Sequence, residues 1–400
     1  MSGQVLDMLV VGAGVSGLGM ARMAAAQGVG TRVLEAGTHI GGAIHSHRFD
    51  TPEGPVWAEL GAHTCYNSYG NLLQLLESSG QLESLQPKQK LRFRIQSGQA
   101  LLSIPSQLNL FELLGVPYRL WRSSKAGKTA EGYFGRILGS RNFKGVLGPA
   151  LDAVVCQPAA DFPADALFRK KPRRKEIMRS YTGPAGLQSF IEGMVEDMDL
   201  ETGARVKAVR PADVGYEVTL EDGRTLSSHR LVLAVSPDVA AGLLHESLPD
   251  LAARLDEIEM AEIESQVVLL HKEELNLPEL AGIIGREDDF YSVVSRDPVP
   301  DPHYRAFTFH FRPGRLDQAG RLKRICQVLG VDSSAIVESV LLNNRLPALR
   351  LGHAERIRWI DDRLRGSSLG LTGNWFQGIS IEDSLVRSAS ECQRLLGPTD

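Results

Sequence analysis

Apolar residues run unbroken from Met8 to Val11, yield to Gly12-Ala13-Gly14-Val15-Ser16-Gly17, and resume as a small-residue, helix-favouring stretch from Leu18 to Gln27. A short continuous apolar run suits a parallel strand buried on both faces. A second run, Thr31 to Leu34, ends in Glu35. Ala58 to His63 reads as a further strand and Asn71 to Glu83 as a helix. Leu91 to Ile95 and Leu101 to Pro105, joined through Ser97-Gly98, predict a β-hairpin. Leu108 to Trp121 is rich in large apolar residues, with Arg122 and Lys125 at its far end. It suits a buried helix broken at Pro117, the wall of an apolar chamber, or a helix lying on a membrane surface.

Strand patterns recur at 203–209, 216–220 and 231–235, with a hairpin turn at Asp222-Gly223. Between 246 and 349 the candidate strands are Gln266 to Leu270, Ala281 to Ile284, Phe290 to Val294 and Ala306 to Phe311, with a helix from Asp317 to Gly330. The chain closes on a strand from Leu369 to Asn374 and a turn at 378–384 that opens a final helix.

A length of 400 residues allows two to three domains at about 150 residues each. The 43% apolar and 23% charged content excludes a disordered or fibrous chain. With 44 basic against 48 acidic residues, the net charge of −4 gives no whole-molecule reason to bind nucleic acid. Cys65, Cys156, Cys326 and Cys392 are widely spaced. Neither a disulfide scaffold nor a metal-ligating cluster is expected, and a reducing compartment is. No run of about 18 apolar residues occurs, and the first apolar stretch carries Asp7 and runs into glycines rather than a cleavage site. The expected location is cytoplasmic, at most peripheral on a membrane.

The glycines have separate tasks in a dinucleotide cradle. Gly12 makes the tight turn, Gly14 lets a pyrophosphate approach the backbone, and Gly17 clears the helix–strand crossing. The helix N-terminus there offers free N–H groups and partial positive charge to phosphate. Glu35 lies 35 − 14 = 21 residues past Gly14, close to the ~20 expected for an acid on the adenosine ribose. From this acid the chain continues Ala36-Gly37-Thr38-His39-Ile40-Gly41-Gly42. That second glycine pair resembles the extended dinucleotide motif of the FAD-containing amine oxidase superfamily. Nicotinamide dehydrogenases do not need it. The arginine that often succeeds the pair in that superfamily is Ala43 here.

The resemblance continues along the chain. Gly61-Ala62-His63 falls where a strand passes the isoalloxazine ring, with His63 a candidate catalytic neighbour. Pro184-Ala185-Gly186 stands at a turn that starts a helix, Val206 where backbone meets adenine, and Leu231 to Pro237 (LVLAVSP) at a further landmark. Gly373-Asn374 and Gly378-Ile379-Ser380-Ile381 match the last flavin loop, with Ser384 in place of a cysteine found in protoporphyrinogen oxidases. The resemblance implies an α/β fold: a Rossmann-like FAD-binding domain of the glutathione-reductase type (1–85, 185–245 and 350–400) with an inserted α+β substrate domain (86–184 and 246–349). FAD is the implied cofactor.

Two absences bear on the substrate. No site for covalent flavin attachment is present, and Trp375-Phe376 stand where amine oxidases carry a tyrosine cage. A large hydrophobic small molecule is favoured over an amine. The protoporphyrinogen/coproporphyrinogen oxidase branch is the best match, which implies hydride transfer from a porphyrinogen to flavin N5 and reoxidation by oxygen or a quinone. Arg92 falls where those relatives pair an arginine with a substrate propionate, and Arg94 competes for the role. An isoprenoid-lipid desaturase, an amine oxidase and a non-catalytic flavin-binding scaffold are the alternatives. Six cations in seven positions, Arg169 to Lys175, read as a solvated loop, a contact to anionic lipid or a steering patch for carboxylated substrate. A homodimer stays open.

Overall fold

The computed structural model describes residues 5–397. Two large sheets, each assembled from separated stretches of chain, carry the architecture. The first runs in the order Asp199–Glu201, Thr31–Leu34, Leu6–Val11, Thr225–Leu233, Tyr216–Leu220, Val206–Pro211, with Leu369–Leu371 also parallel to Thr225–Leu233. Leu6–Val11 is parallel to both of its neighbours, so its connections must cross over the sheet. Both faces are consequently covered, and Met8, Leu9 and Val10 are fully buried. Helices Val15–Ala25, Gln188–Val195 and Ile381–Leu396 cover one face. Pro237–Leu244, Pro249–Asp256 and His353–Leu364 cover the other.

The second sheet runs Ile336–Pro347, Met260–His271, Tyr304–Phe311, Phe290–Ser295, Gly282–Arg286, Phe93–Ser97, Ala100–Ser103. It is mixed, because Gly282–Arg286 pairs in parallel with Phe93–Ser97 while its other pairings are antiparallel. Helix Gln318–Leu329 packs on one face through Ile325, Val328 and Leu329. Asp317 caps that helix by accepting from the Gly320 N–H, and Gly330 ends it in the left-handed region. On the opposite face sits the hairpin Ser46–Thr51/Gly54–Glu59, where Phe49, Val56 and Ala58 meet Val267, Leu269 and Ala306. This hairpin leads from the first glycine-rich region to the second sheet.

The structure corrects several sequence expectations. The strand expected over 58–63 ends at Glu59, and Gly61-Ala62-His63 continues without strand structure. The helix expected to reach Glu83 stops at Ser78, because Ser79 and Gly80 turn the chain, with Gly80 at φ +69°. Leu108 to Trp121 forms two short helices, Leu110–Leu113 and Val116–Trp121. The break falls at Leu114-Gly115, and Pro117 sits in the first turn of the second helix, where its missing N–H costs nothing. Nor is this a buried helix: Phe111 is 85% and Trp121 83% exposed. The strand Ile336–Pro347 and the helix His353–Leu364 are additional elements. Among the described residues no helix is long and apolar enough to cross a membrane.

Candidate active site

The glycine turn between Leu6–Val11 and Val15–Ala25 is built for close backbone approach. A Cβ on Gly17 would lie 2.0 Å from the Gly12 carbonyl oxygen, so only glycine lets helix and turn meet there. Gly14 is the N-cap of the helix, without a side-chain cap and without an acid in the first turn. Such an end leaves backbone donors and partial positive charge for a phosphate. The second glycine loop comes directly alongside: the Gly41 N–H donates to the Ala13 carbonyl at 2.8 Å, and Gly14 and Gly41 form a parallel bridge. A Cβ on Gly42 would stand 3.1 Å from the Gly14 Cα. Val15 and Ser16 begin the helix, and Ser16 is buried.

Glu35 closes this end. Its Oε2 accepts the Ala13 N–H at 2.9 Å and its Oε1 the Gly37 N–H at 2.8 Å. The Ala204 N–H reaches the Glu35 carbonyl at 2.8 Å, and the Gly203 N–H the Gly37 carbonyl at 2.9 Å. Glu35, Ala36 and the start of strand Val206–Pro211 are thereby stitched together. The acid stays partly exposed, with lone pairs free for sugar hydroxyls.

Where the two sheets meet, the segment Glu59 to Thr64 is pinned from outside. A Cβ on Gly61 would stand 2.1 Å from the Ala43 carbonyl oxygen, which also accepts the Ala62 N–H at 3.0 Å. The Thr308 hydroxyl donates to the Glu59 carbonyl at 2.7 Å, and Asn344 Nδ2 to the Leu60 carbonyl at 2.9 Å. Lys88 Nζ donates to the His63 carbonyl at 2.7 Å and to the Thr64 hydroxyl at 3.0 Å. Asn344 also donates to Ser265 Oγ, which lies 3.0 Å from His310 Nδ1.

Burial sets the charges in this seam. It pushes His63 down to about 3, with the Lys88 and His310 charges acting the same way. It pushes His310 down to about 4. Both imidazoles are therefore neutral near pH 7. Burial raises the Glu59 carboxyl to about 7, although it accepts from the Ser46 hydroxyl at 2.6 Å and the Leu187 N–H at 2.8 Å. Lys88 is held below its ordinary range by the same desolvation, against the pull of Glu59.

The third part comes from the C-terminus. The Thr372 N–H donates to the Leu233 carbonyl, and the Thr372 hydroxyl lies 2.9 Å from the Ser388 hydroxyl. Ser388 Oγ donates in turn to the Ser16 carbonyl at 2.8 Å, binding the last helix to the first glycine turn. Gly373 is packed by the Trp375 indole, and Asn374 remains partly exposed. Gly378 and Ile379 lead into Ser380, the N-cap of Ile381–Leu396, whose Oγ accepts the Asp383 N–H at 3.1 Å. Lys171 reaches this helix end: its Nζ lies 2.7 Å from Asp383 Oδ1, 3.1 Å from Ser380 Oγ and 5.5 Å from the centre of the Tyr69 ring.

The sequence-nominated positions of both glycine loops, Glu35, and the 372–388 segment are thus brought to one end of the first sheet. Arg92 lies elsewhere. It is exposed, and it lines a groove of about 490 Å³ beside the second sheet with Lys90, Arg94, Leu101 and residues 277–280. The cation run is not a uniformly solvated loop, because Lys171 pairs with Asp383 and Arg174 with Glu77 and Glu176. Lys88, Thr308 and Asn344 were not nominated from sequence, and Lys171 only as one cation of the 169–175 run. Nothing local marks their partners, which are distant in the chain.

These features fit FAD. An uncapped helix end, a paired glycine cradle that Cβ atoms would fill, and an acid anchored beside the glycine turn suit its ADP half. The 372–381 segment and Gly61 to His63 remain for the flavin half. Comparison with known proteins agrees. The family model "Flavin containing amine oxidoreductase" matches residues 15–330. The fold is similar to a structure described as "Putative protoporphyrinogen oxidase from Exiguobacterium sp. 255-15", at TM-score 0.76 and 17% identity, covering 98% of both chains. Wild-type putrescine oxidase bound to putrescine is similar at TM-score 0.71 and 14% identity, covering 99% of this chain and all of that one. Reduced UDP-galactopyranose mutase is similar at TM-score 0.75 and 14% identity, covering 99% of this chain and 97% of that one. At such identities the structural likenesses establish the fold alone. The family match establishes more: the chain belongs to the flavin-containing amine oxidoreductase family and is an FAD-dependent oxidoreductase.

Proposed function

We propose that this enzyme oxidises a porphyrinogen, in the manner of protoporphyrinogen or coproporphyrinogen oxidases. The observation that carries the reading is the cationic groove. Lys90, Arg92 and Arg94 line it, and none of the three has a salt-bridge partner among the described residues. Glu279, its acidic neighbour, is engaged by Lys272 at 3.1 Å. Arg92 is four residues beyond Lys88, so it stands within about 14 Å of the Lys88 backbone, whose ammonium holds His63. A macrocycle with carboxylate arms can bridge such a distance, its propionates on the cations and its oxidisable carbon toward the seam.

The aromatic pair after Asn374 argues against an amine cage. Trp375 and Phe376 are 0% and 3% exposed, stacked at 3.7 Å, with the Arg387 guanidinium 3.8 Å from the Phe376 ring centre. They are core, not pocket lining. FAD, when bound, supplies the two-electron acceptor. The protein's part is to orient the macrocycle through the groove cations and to exclude water with the seam packing. Neutral His63 and His310 leave Lys88 as the cationic donor on the His63 segment.

In this reading residues 1–85, 185–245 and 350–400 form the FAD-binding domain, and 86–184 and 246–349 the substrate domain. Oxygen or a quinone takes the electrons onward. The proposed location is cytoplasmic, at most peripheral on a membrane. The test is formation of fluorescent porphyrin from proto- or coproporphyrinogen by the holoenzyme. Arg92→Ala is expected to raise KM roughly tenfold to a hundredfold with little change in kcat, the loss of one charge-assisted hydrogen bond. Absence of porphyrin sinks the substrate assignment, and an unchanged KM in the variant removes Arg92 from it.

A further inference from the structure

We propose that residues 110–121 form a monotopic docking face for anionic bilayers. Six large apolar side chains project from this short stretch with more than half of each in solvent: Leu110 is 70% exposed, Phe111 85%, Leu114 80%, Tyr118 60%, Leu120 52% and Trp121 83%. Scattered exposed leucines need no explanation, but a cluster with two aromatic rings almost fully in solvent does. The ordinary fate of such residues in a soluble core is closed to them, because neither short helix contributes a buried residue.

The charge around the face selects its occupant. Between Leu108 and Gly145 the chain carries seven cations (Arg119, Arg122, Lys125, Lys128, Arg136, Arg141, Lys144) and two acids, Glu112 and Glu131, a local charge of +5 in a chain of −4. Glu112 is turned inward, where its carboxylate accepts the N–H groups of Arg141 and Asn142 at 3.3 and 3.0 Å. Its charge is spent on the fold. Arg122, Arg136, Arg141 and Lys144 are exposed.

Phe168, 62% exposed, extends the patch: it packs edge-on against Phe134, over which Lys125 lies at 5.5 Å. There the second cation run begins. Lys171 and Arg174 of that run are engaged internally, while Arg169, Lys170, Arg173 and Lys175 face solvent. Apolar and aromatic anchors ringed by cations are the chemistry of a helix lying in the headgroup layer, with rings at the acyl boundary and cations on phosphate and carboxylate headgroups. A protein partner would have to offer an equally broad apolar surface edged with acid. The inference deepens the peripheral location of the proposed function and does not depend on the substrate.

The experiment is cosedimentation of the FAD-loaded protein with phosphatidylcholine vesicles, with and without phosphatidylserine. Binding to the mixed vesicles, weakened by salt, is expected. Phe111→Ser with Trp121→Ser should weaken it tenfold or more while FAD content and melting temperature hold. Arg122→Glu with Arg136→Glu and Arg141→Glu should abolish the preference for phosphatidylserine. In the unmodified protein, brominated acyl chains should quench tryptophan emission, because Trp121 is the freely exposed indole and Trp57 and Trp375 are buried. Failure to sediment, sedimentation unaffected by the serine pair, or no quenching would overturn the proposal. So would a dimer in solution that the serine pair converts to monomer without any vesicle binding, since the face would then join two copies. Porphyrin formation is read separately, so loss of that activity leaves this result standing, and the reverse.

Discussion

His310 is 4% exposed on the strand that faces the segment Glu59 to Thr64, and burial lowers it to about 4. In the unfolded chain it titrates near 6.5. Below that value the unfolded state takes up a proton that the folded state refuses, so stability falls as pH drops and stops falling near 4. Each unit is worth about 1.4 kcal/mol, or about 2 kcal/mol between pH 6.5 and 5. Denaturant unfolding at the two pH values should show His310→Gln losing about that much less than the unmodified protein; equal losses would mean that His310 is protonated in the fold. Glu59 works in the opposite sense, since its raised value, about 7, favours the protonated fold between its unfolded value and neutrality. At this scale legibility depends on the range of the interaction. Gly17 and Glu35 could be read because their tasks lie within one turn–helix–strand unit. Asn344, which holds the Leu60 carbonyl across 284 residues, could not.

Among the elements, the segment 169–175 shows how a charge pattern misleads. Six cations in seven positions look solvated, yet Lys171 folds back onto the N-terminus of helix Ile381–Leu396 and meets Asp383 with side chains 21% and 13% exposed. An acid at that helix end is already favoured by the dipole, and the ammonium balances its charge beside the loop 378–381. Lys171→Met leaves the carboxylate partly buried and unpaired, at a cost of about 1–3 kcal/mol. Thermal melts should show it, and FAD dissociation should become roughly tenfold easier. Asp383→Asn added to Lys171→Met should recover most of the stability, as should Lys171→Arg alone; a double variant as weak as the single one would contradict the pairing. Strand Ile336–Pro347 was hidden for another reason. Its Glu338, Ser339, Asn343, Asn344 and Arg345 disfavour β-structure, and pairing with Met260–His271 overrides them. Helix His353–Leu364 does carry the spacing of a one-sided helix at Ile357, Ile360 and Leu364, but the glycine motifs around it are the stronger signal.

Across the whole molecule, the sequence revealed the half that we assign to the cofactor and blurred the half that we assign to the substrate. The first is written in short motifs because a dinucleotide is gripped by backbone, and backbone approach demands glycine at fixed places. The second is written in side chains from strands spread over residues 93–103 and 260–347, whose combination appears only when the sheet forms. The molecule thus places an FAD cradle at one end of a parallel sheet, a seam of neutral histidines and a lysine beside it, and a cationic groove and an apolar face beyond. We propose that this arrangement moves electrons from a porphyrinogen to FAD. Anaerobic addition of porphyrinogen to the yellow holoenzyme tests it most directly: the flavin absorbance should bleach as porphyrin fluorescence appears, and colour should return on admitting oxygen or a quinone. Flavin that stays oxidised with every porphyrinogen, yet bleaches with putrescine or another amine, would contradict it.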